Sequence, residues 1–303
     1  MADRQTATYL MRRFEMAGLR PVSRRGQNFL VDLNLLGLLV ETAQVGRNEV
    51  ALEIGTGLGS LTALLSQRAA AVVTVEVDRD LHRLAAEQLA EMDNVTMLQQ
   101  DALRNKNSLD ARVLDAVRGT MAERQAAGFK LVANLPYNIA TPVVSNLLLT
   151  DPVPISMTVT IQKELADRMT ARPGTKDYGA LSAWMQTQCD VRVVRVMPPS
   201  AFWPRPRVWS AIVHVIPQRD RWNTGSDRRF FHTFVRSLFL HRRKYLRACL
   251  ISACGGKLSK ADIDQLLRSQ GLGEQVRAED LSPEVLLQLA RASEQLQLER
   301  ATR

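Results

Sequence analysis

The chain has 303 residues, which is long for one domain and suits a large domain followed by a small one. Lysine and arginine number 40 against 31 aspartates and glutamates, and the formal net charge of +9 favours a polyanionic partner. Hydrophobic residues make up 46% of the chain, which excludes wholesale disorder, while no apolar run approaches the ~18 residues of a membrane span.

Cysteine and histidine usage excludes further classes of protein. The cysteines Cys189, Cys249 and Cys254 are too few, and too far from ligand spacing, for a disulfide framework or a zinc site. The histidines are scattered, so we predict that the protein uses no metal. The start of the chain has no apolar secretory core, and we therefore expect a cytoplasmic protein with reduced thiols that does not act at a membrane.

The first elements in chain order are two helices and a glycine-rich turn. A helix is predicted over residues 6–16, and Asp32 is placed to cap a second, leucine-rich helix. A strand near Val50 then leads into Glu53-Ile54-Gly55-Thr56-Gly57-Leu58-Gly59, after which Ser60 is placed to cap a helix. Closely spaced glycines let a backbone approach a ligand without interference from Cβ atoms. The spacing differs from the dinucleotide fingerprint, and no Gly-Lys-Ser/Thr completes a phosphate loop.

Acidic residues end the next two predicted strands, near Val72 and Val95. Glu76 follows the glycines by about 20 residues, where α/β nucleoside-binding proteins hold ribose hydroxyls. Asp101 can accept a hydrogen bond from an adenine amino group. Either acid alone is typical of a solvated helix cap, but the glycine turn, Glu76 and Asp101 in this order favour a nucleoside site. The long connection over residues 104–128 predicts an added amphipathic surface helix.

The segment Asn134-Leu135-Pro136-Tyr137-Asn138-Ile139 follows a predicted fourth strand and is the most informative stretch of the chain. Pro136 fixes its own φ and keeps Leu135 out of the helical region, so the backbone leaves the strand extended. The Asn134 amide oxygen and the Leu135 carbonyl are then placed to accept from an exocyclic amine while Tyr137 stacks on its ring. An ordinary strand-to-helix turn uses the same residue types, but the glycine turn upstream favours a base site.

The rest of the chain predicts a sheet edge and then helices. After a strand near Met157, the strands over 191–196 and 208–215 are joined by a short Pro-rich segment, which predicts an antiparallel edge hairpin. The fold class is therefore α/β: a Rossmann-like, seven-stranded, mostly parallel sheet over residues 1–218, with a helical extension over 1–26. A small all-α domain over 219–303 follows. Its predicted helices cover residues 230–240, 246–253, 260–269 and 283–294.

Basic residues concentrate at the start of the predicted helical domain. A solvated face is the usual meaning of such a run, but its combination with a base site favours contacts with RNA phosphates. The predicted RNA-binding residues are Arg242, Arg243, Lys244 and Arg247. A second basic group precedes Gln27 and comprises Arg20, Arg24 and Arg25.

The motifs together resemble the ribosomal RNA adenine N6-dimethyltransferases, and most closely the bacterial small-subunit (16S) branch of that family. The resemblance is carried along almost the whole chain by residues 27–30 with Asp32, 53–59, 100–102, 134–139, 162–168, 178–182, the Phe202-x-Pro204-x-Pro206-x-Val208-x-Ser210 segment and 242–244. Trp209 departs from the family, which usually has Asp at this position.

The resemblance implies a class I methyltransferase that uses S-adenosyl-L-methionine and releases S-adenosyl-L-homocysteine. It places the cofactor against Gly55 and Gly57, with Glu76 on the ribose and Asp101 near the adenine. It also implies that Asn28 and the Leu30 backbone cover the methionine end beside Asn134.

For the target base, the resemblance implies catalytic roles for Asn134, Leu135, Tyr137 and, on the second ring face, Phe202. The implied substrate is two adjacent adenosines near the 3′ end of small-subunit rRNA, free or in a pre-30S particle, and the protein is expected to be a monomer.

The sequence is also compatible with three other functions. One is a large-subunit rRNA methyltransferase of the antibiotic-resistance type on the same catalytic domain, and another is a DNA adenine methyltransferase. The third is a non-catalytic rRNA-binding assembly factor, against which the intact Gly55, Glu76, Asp101 and Asn134 set argues.

Overall fold

The computed structural model describes residues 6–22, 26–221, 225–241 and 244–302. The chain divides into two compact units, Met1–Ala166 with Arg192–Pro217 and Asp167–Val191 with Gln218–Arg303. In the described residues the strands are β1 (Phe29–Leu30), β2 (Glu49–Ile54), β3 (Ala71–Glu76), β4 (Val95–Gln99), β5 (Leu103–Asn105), β6 (Ser108–Leu109), β7 (Gly128–Asn134), β8 (Met157–Gln162), β9 (Cys189–Met197), β10 (Phe202–Trp203) and β11 (Ser210–Pro217). The helices there are α1 (Ala7–Met16), α2 (Leu33–Ala43), α3 (Ser60–Ser66), α4 (Arg79–Leu89), α5 (Ala111–Glu123), α6 (Ala140–Leu147), α7 (Lys163–Met169), α8 (Ala180–Gln188), α9 (Gly225–Leu238), α10 (Leu246–Ala253), α11 (Lys260–Ser269) and α12 (Pro283–Ala301).

A seven-stranded sheet organises the first unit in the order β4-β3-β2-β7-β8-β11-β9. The strands β4, β3, β2, β7 and β8 run parallel, and β11 runs antiparallel to β8, with Ser210 opposite Gln162. The predicted fold class, a mostly parallel sheet ending in an edge hairpin, is confirmed. The strand order reverses between β2 and β7, and such a switch point is where open α/β sheets bind ligands, outside the carboxyl ends of the strands.

Helix caps follow the sequence at most positions. Asp32 caps α2 as predicted, because its Oδ1 accepts from the Asn34 and Leu35 amides at 3.0 and 3.1 Å. The predicted cap of α3 by Ser60 is wrong. The capping residue is Gly59, with φ +85°, and the buried Ser60 hydroxyl has no hydrogen-bond partner among the described residues.

The helix predicted as an addition in residues 104–128 is instead part of the core fold. It is α5, which packs on β2, β3 and β7. Its Val113 and Val117 are 0% and 1% exposed. Because β4 and β7 are parallel members of one sheet, their connection needs a crossover element, and α5 fills that role.

An aromatic cluster joins the N-terminal helix to a two-stranded ribbon of β1 and β10. The Phe14 ring centroid lies 5.4 Å from that of Phe29 and 5.2 Å from that of Trp203, both edge-on. The antiparallel register sets Phe29 opposite Trp203 and Leu30 opposite Phe202. The ribbon thereby fixes the segment that precedes α2.

The second unit is built from helices, and it includes α8. Its Trp184 ring stacks near Phe231 of α9 at 6.2 Å, and the Tyr178 hydroxyl donates to the Leu281 carbonyl at 2.9 Å. Residues 167–191, which were predicted to lie in the first domain, therefore cluster with the later helices. None of the helices in the described ranges is long and apolar enough to cross a membrane.

Candidate active site

Two turns meet at the switch point of the sheet, one after β2 and one at the end of β7. Gly55 has φ +91°, and a Cβ added there would lie 3.3 Å from Cδ of Pro136. A side chain at this position would have to displace the proline ring or the turn itself. The glycine turn and the Asn134 turn, about 80 residues apart in the chain, are therefore packed against each other.

The acid at the end of β3 is fixed to the glycine turn. Glu76 is 6% exposed, and its two carboxylate oxygens accept from the amides of Gly57 at 3.0 Å and Asp78 at 2.9 Å. Burial raises the pKa of Glu76 above its ordinary value. Gly57 itself has φ +58°, and a Cβ added there would lie 3.1 Å from Cε1 of Phe29.

The Asn134 side chain is oriented by one hydrogen bond. Its Nδ2 donates to the Asn28 carbonyl at 2.8 Å. An amide has a donor end and an acceptor end, so this bond assigns the nitrogen to Asn28 and leaves Oδ1 as the acceptor. The Asn28 side chain in turn donates to the Gly26 carbonyl at 3.2 Å.

These residues line one pocket. Its walls are the two turns, the segment before β1 and the end of β3. The predicted site residues that it brings together are Asn28, Gly55, Gly57, Glu76 and Asn134. Within the described ranges, no group of three or more His, Cys, Asp or Glu side chains is arranged to hold a metal ion.

Other predicted site residues lie outside the pocket lining. Asp101 is exposed at the end of β4, and its Oδ1 accepts from the Leu103 amide at 2.9 Å. The Leu30 side chain is 1% exposed in the core. The Leu135 side chain is also buried, at 2%. The contacts predicted for Asp101 and for the Leu30 and Leu135 backbones remain predictions.

Phe202 also lies outside the pocket lining. Its pairing opposite Leu30 turns the ring into an apolar cluster with Leu36 and Ile212, and the residue is only 2% exposed. The ring has no open face in this structure, and the stacking role predicted for Phe202 stays a prediction. Strand pairing decides the direction of this ring, and spacing alone did not reveal the β1–β10 ribbon.

Tyr137 is held from the neighbouring strand. Its hydroxyl forms a 2.5 Å hydrogen bond with Oγ of Ser210, which is fully buried at the start of β11. Burial raises the pKa of Tyr137, so the phenol stays neutral at physiological pH. Ser210 was not predicted as a site residue.

Gln27 and Phe29 also line the pocket without having been predicted as site residues. Gln27 accepts from the Val22 amide at 2.7 Å and donates to Asp78 at 3.2 Å, which ties the N-terminal segment to the cap of α4. Both residues flank the predicted site residue Asn28 in the sequence, and this position could have indicated that they line the pocket.

Glu53 lies under the glycine turn as a buried acid. It is 1% exposed, and its Oε2 accepts from the hydroxyls of Thr62 at 2.5 Å and Thr74 at 2.8 Å. Burial, which outweighs these hydrogen bonds, raises the pKa of Glu53 to about 8. Between the ordinary value of 4.5 and about 8, the folded chain therefore binds a proton that the unfolded chain lacks.

We expect Glu53→Gln to reduce the pH dependence of stability. In the parent protein the free energy of unfolding should fall as pH rises through this window, by up to about 1.4 kcal/mol per pH unit. The glutamine keeps an acceptor for the two hydroxyls but does not titrate, so its denaturant unfolding should show a smaller slope, the remainder coming from Glu76, whose pKa burial also raises. The control Glu91→Gln, at an exposed acid, should keep the slope, and equal slopes for all three proteins would contradict the assignment.

The structure describes two of the four predicted RNA-binding cations, Lys244 and Arg247. Arg242 and Arg243 lie outside the described residues. Lys244 is exposed. Arg247 forms two hydrogen bonds with the Asp264 carboxylate, at 2.5 and 2.8 Å. Because that carboxylate offsets its charge, Arg247 is less available to a phosphate than the sequence alone indicates.

The sheet order, the glycine turn and the switch-point pocket define a Rossmann-like, class I methyltransferase fold. The sequence model of the family described as Ribosomal RNA adenine dimethylase matches residues 21–295. The chain therefore belongs to the ribosomal RNA adenine dimethylase family and is an rRNA methyltransferase.

Two curated relatives are similar over nearly their full lengths, and both are named ribosomal RNA small subunit methyltransferase A. The relative from Lactiplantibacillus plantarum is 39% identical over 282 residues, covering 93% of this chain and 93% of its own. The relative from Clostridium acetobutylicum is 37% identical over 271 residues, covering 89% of this chain and 92% of its own.

Solved structures share the fold at lower identity. A dimethyladenosine transferase from Plasmodium falciparum aligns with a TM-score of 0.69 at 23% identity, covering 85% of this chain and 94% of that one. The 23S rRNA methyltransferase ErmE aligns with a TM-score of 0.62 at 23% identity, covering 88% and 100%. These two likenesses concern the fold alone.

Proposed function

We propose that the protein dimethylates N6 of two adjacent adenosines in the 3′-terminal hairpin of small-subunit (16S) rRNA, with S-adenosyl-L-methionine as the methyl donor. This reaction is a step of small-subunit biogenesis. The observation that carries the proposal is the orientation of Asn134, whose nitrogen is held by Asn28 while its oxygen remains as an acceptor beside the glycine turn. The names of the small-subunit relatives support the choice of RNA.

The pocket residues fit the proposed cofactor. Gly55 and Gly57 have positive φ and no side chains, so their backbone can approach a ligand closely. The Glu76 carboxylate, fixed by two amides, keeps lone pairs that can accept from ribose hydroxyls. Bound S-adenosyl-L-methionine supplies an electrophilic methyl group on a sulfonium.

Asn134 and Leu135 prepare the nitrogen that attacks this methyl group. The lone pair of adenine N6 is delocalised into the ring, so the amine is a poor nucleophile while it stays planar. Hydrogen bonds from the amine to the Asn134 Oδ1 and the Leu135 carbonyl favour a pyramidal nitrogen with its lone pair directed at the cofactor. The transfer depends on positioning more than on a strong base, which agrees with a pocket lined by amides and glycines.

Tyr137 holds the base that has left its stack. Stacking on an aromatic ring is worth about 1–3 kcal/mol per base, which offsets part of the few kcal/mol needed to extrude a base from RNA. The Ser210 hydrogen bond fixes the position of the hydroxyl at the tip of the tyrosine ring. Phe202 is buried in this structure, so the proposal assigns the first stacking contact to Tyr137.

The basic segment at 242–244 is proposed to contact RNA phosphates. We expect Arg242→Glu, Arg243→Glu and Lys244→Glu together to weaken RNA binding and to lower the slope of log affinity against log salt by about 2 to 3. A matched variant reverses the charge at three other positions of the second unit, Lys257, Lys260 and Arg268. It should change the slope less. Equal slopes for the two variants in filter-binding titrations would place the RNA footprint elsewhere.

Methyl transfer to different nucleic acids tests the proposed substrate. Radiolabelled methyl transfer would be measured to purified small-subunit rRNA, large-subunit rRNA and duplex DNA, each lacking prior methylation, and to small-subunit particles. The proposal expects label only in small-subunit RNA or its particle. Label in large-subunit RNA would favour the antibiotic-resistance type of enzyme, label in duplex DNA would favour a DNA adenine methyltransferase, and cofactor-independent binding without transfer would favour an assembly factor.

A further inference from the structure

The proposed methyl transfer gives no role to the exposed indole of Trp209. This residue is 53% exposed, and its neighbour Val208 is 42% exposed. The Trp209 carbonyl accepts from the Lys163 amide at 2.9 Å. Its backbone is therefore fixed at the rim of the sheet, while its ring is open to a ligand.

The neighbouring Ser210 places the Trp209 backbone at the edge of the sheet where the target-base site lies. The Trp209 bond to Lys163 continues the antiparallel ladder in which Ser210 lies opposite Gln162. Successive side chains of an extended strand point to opposite sides. Ser210 accordingly points to the Tyr137 hydroxyl, and the exposed Trp209 ring leaves the strand on the opposite side.

The charge next to Trp209 identifies the kind of ligand. Arg205 and Arg207 are exposed, and no ion pair forms at either residue within the described part of the chain. Both lie within four residues of Trp209, so even an extended backbone keeps them within about 14 Å of it. An aromatic platform with flanking cations is the combination that binds single-stranded nucleic acid.

We propose that Trp209 stacks on the unpaired base next to the adenine in the active site, with Arg205 and Arg207 on the flanking phosphates. This inference rests on the proposed function, since it takes the RNA strand at Tyr137 as given. A protein surface docking on Val208 and Trp209 is the competing occupant, but the two adjacent cations favour the polyanion. The family usually has Asp here, which would repel a phosphate, so the platform is a specific feature of this chain.

A double-mutant cycle tests the stacking. Affinity would be measured for a small-subunit 3′-hairpin RNA and for versions with an abasic nucleotide on either side of the target adenine. Trp209→Ala should weaken binding of the intact hairpin about 5- to 100-fold. It should have little further effect on the RNA that lacks the stacked base. Trp209→Phe should retain most of the affinity, and Leu298→Ala, at another exposed apolar residue, should match the parent protein.

Kinetics and fluorescence separate the possible outcomes. Loss of stacking should raise KM while kcat stays nearly constant. RNA binding should quench the fluorescence of Trp209 in the parent protein, and this quenching should be absent in Trp209→Phe. If the parent protein methylates the hairpin but Trp209→Ala matches it in KM and affinity, the inference is overturned while the proposed function stands. A defect that appears only on assembled particles would also overturn it, in favour of a protein partner. Absence of methyl transfer by the parent protein to hairpin, rRNA and particle alike would overturn the proposed function itself.

Discussion

Asn134→Ala should lower kcat for methyl transfer by about 10²–10³-fold, the range seen when one positioned hydrogen-bonding group is removed from an active site. The variant loses the Oδ1 acceptor that orients the target amine. It also loses the bond from Nδ2 to the Asn28 carbonyl, whose net worth of about 0.5–1.5 kcal/mol limits the effect on cofactor affinity to about 2- to 10-fold. The loss therefore concerns the chemical step more than binding.

Single-turnover transfer and calorimetric cofactor titration would measure the two effects separately. The control Asn48→Ala removes the same side chain at an exposed position and should leave both quantities unchanged. Full transfer activity in Asn134→Ala would defeat the proposed role. A cofactor affinity that falls as steeply as the rate would instead make Asn134 a cofactor residue.

Gly57→Ala should weaken cofactor binding by at least about 10-fold, because the steric conflict of the methyl group drives the turn out of its binding geometry. Restoring that geometry on binding would cost the left-handed strain of about 1–2 kcal/mol as well. The added Cβ would lie 3.1 Å from the Phe29 ring, which itself lines the pocket. The Gly57 amide that fixes Glu76 would also move. Calorimetric titration with S-adenosyl-L-methionine measures the result.

Gly174→Ala provides the matched control for Gly57→Ala. Gly174 has a similar positive φ of +78°, but a Cβ there has no atom within 4 Å. The control should lose some stability from backbone strain and keep its cofactor affinity. If the two variants bind the cofactor equally well, the glycine turn does not form the cofactor site.

Most of the fold was predictable because the signals are local. The parallel strands are almost wholly apolar since both of their faces are buried, as in β7, where Phe129 and Leu131 are at most 1% exposed. Caps such as Asp32 depend on a side chain and the next turn of its own helix. The cap of α3 was not predictable in this way, because a glycine in the left-handed region took the place of the serine.

Site residues were predictable where a single sequence motif contains the contact. They were less predictable where the contact joins two elements that are distant in the chain. The glycine turn and Asn134 follow from their own segments and from the general position of sites in α/β sheets. The burial of Phe202 depends on the β1–β10 ribbon, and the Tyr137–Ser210 bond depends on the register of β11 with β8. Long-range pairings of this kind leave no periodic signal in the chain.

Mapping of methyl groups on RNA is the decisive test of the proposed reaction. Small-subunit rRNA from a strain that lacks this protein would be analysed by mass spectrometry before and after incubation with the protein and S-adenosyl-L-methionine. We expect two adjacent adenosines of the 3′-terminal hairpin to gain two methyl groups each, on N6, and Asn134→Ala to add none at a matched time. Methyl groups on another atom or another RNA, or none with the parent protein on either RNA or particles, would rule out the proposed reaction.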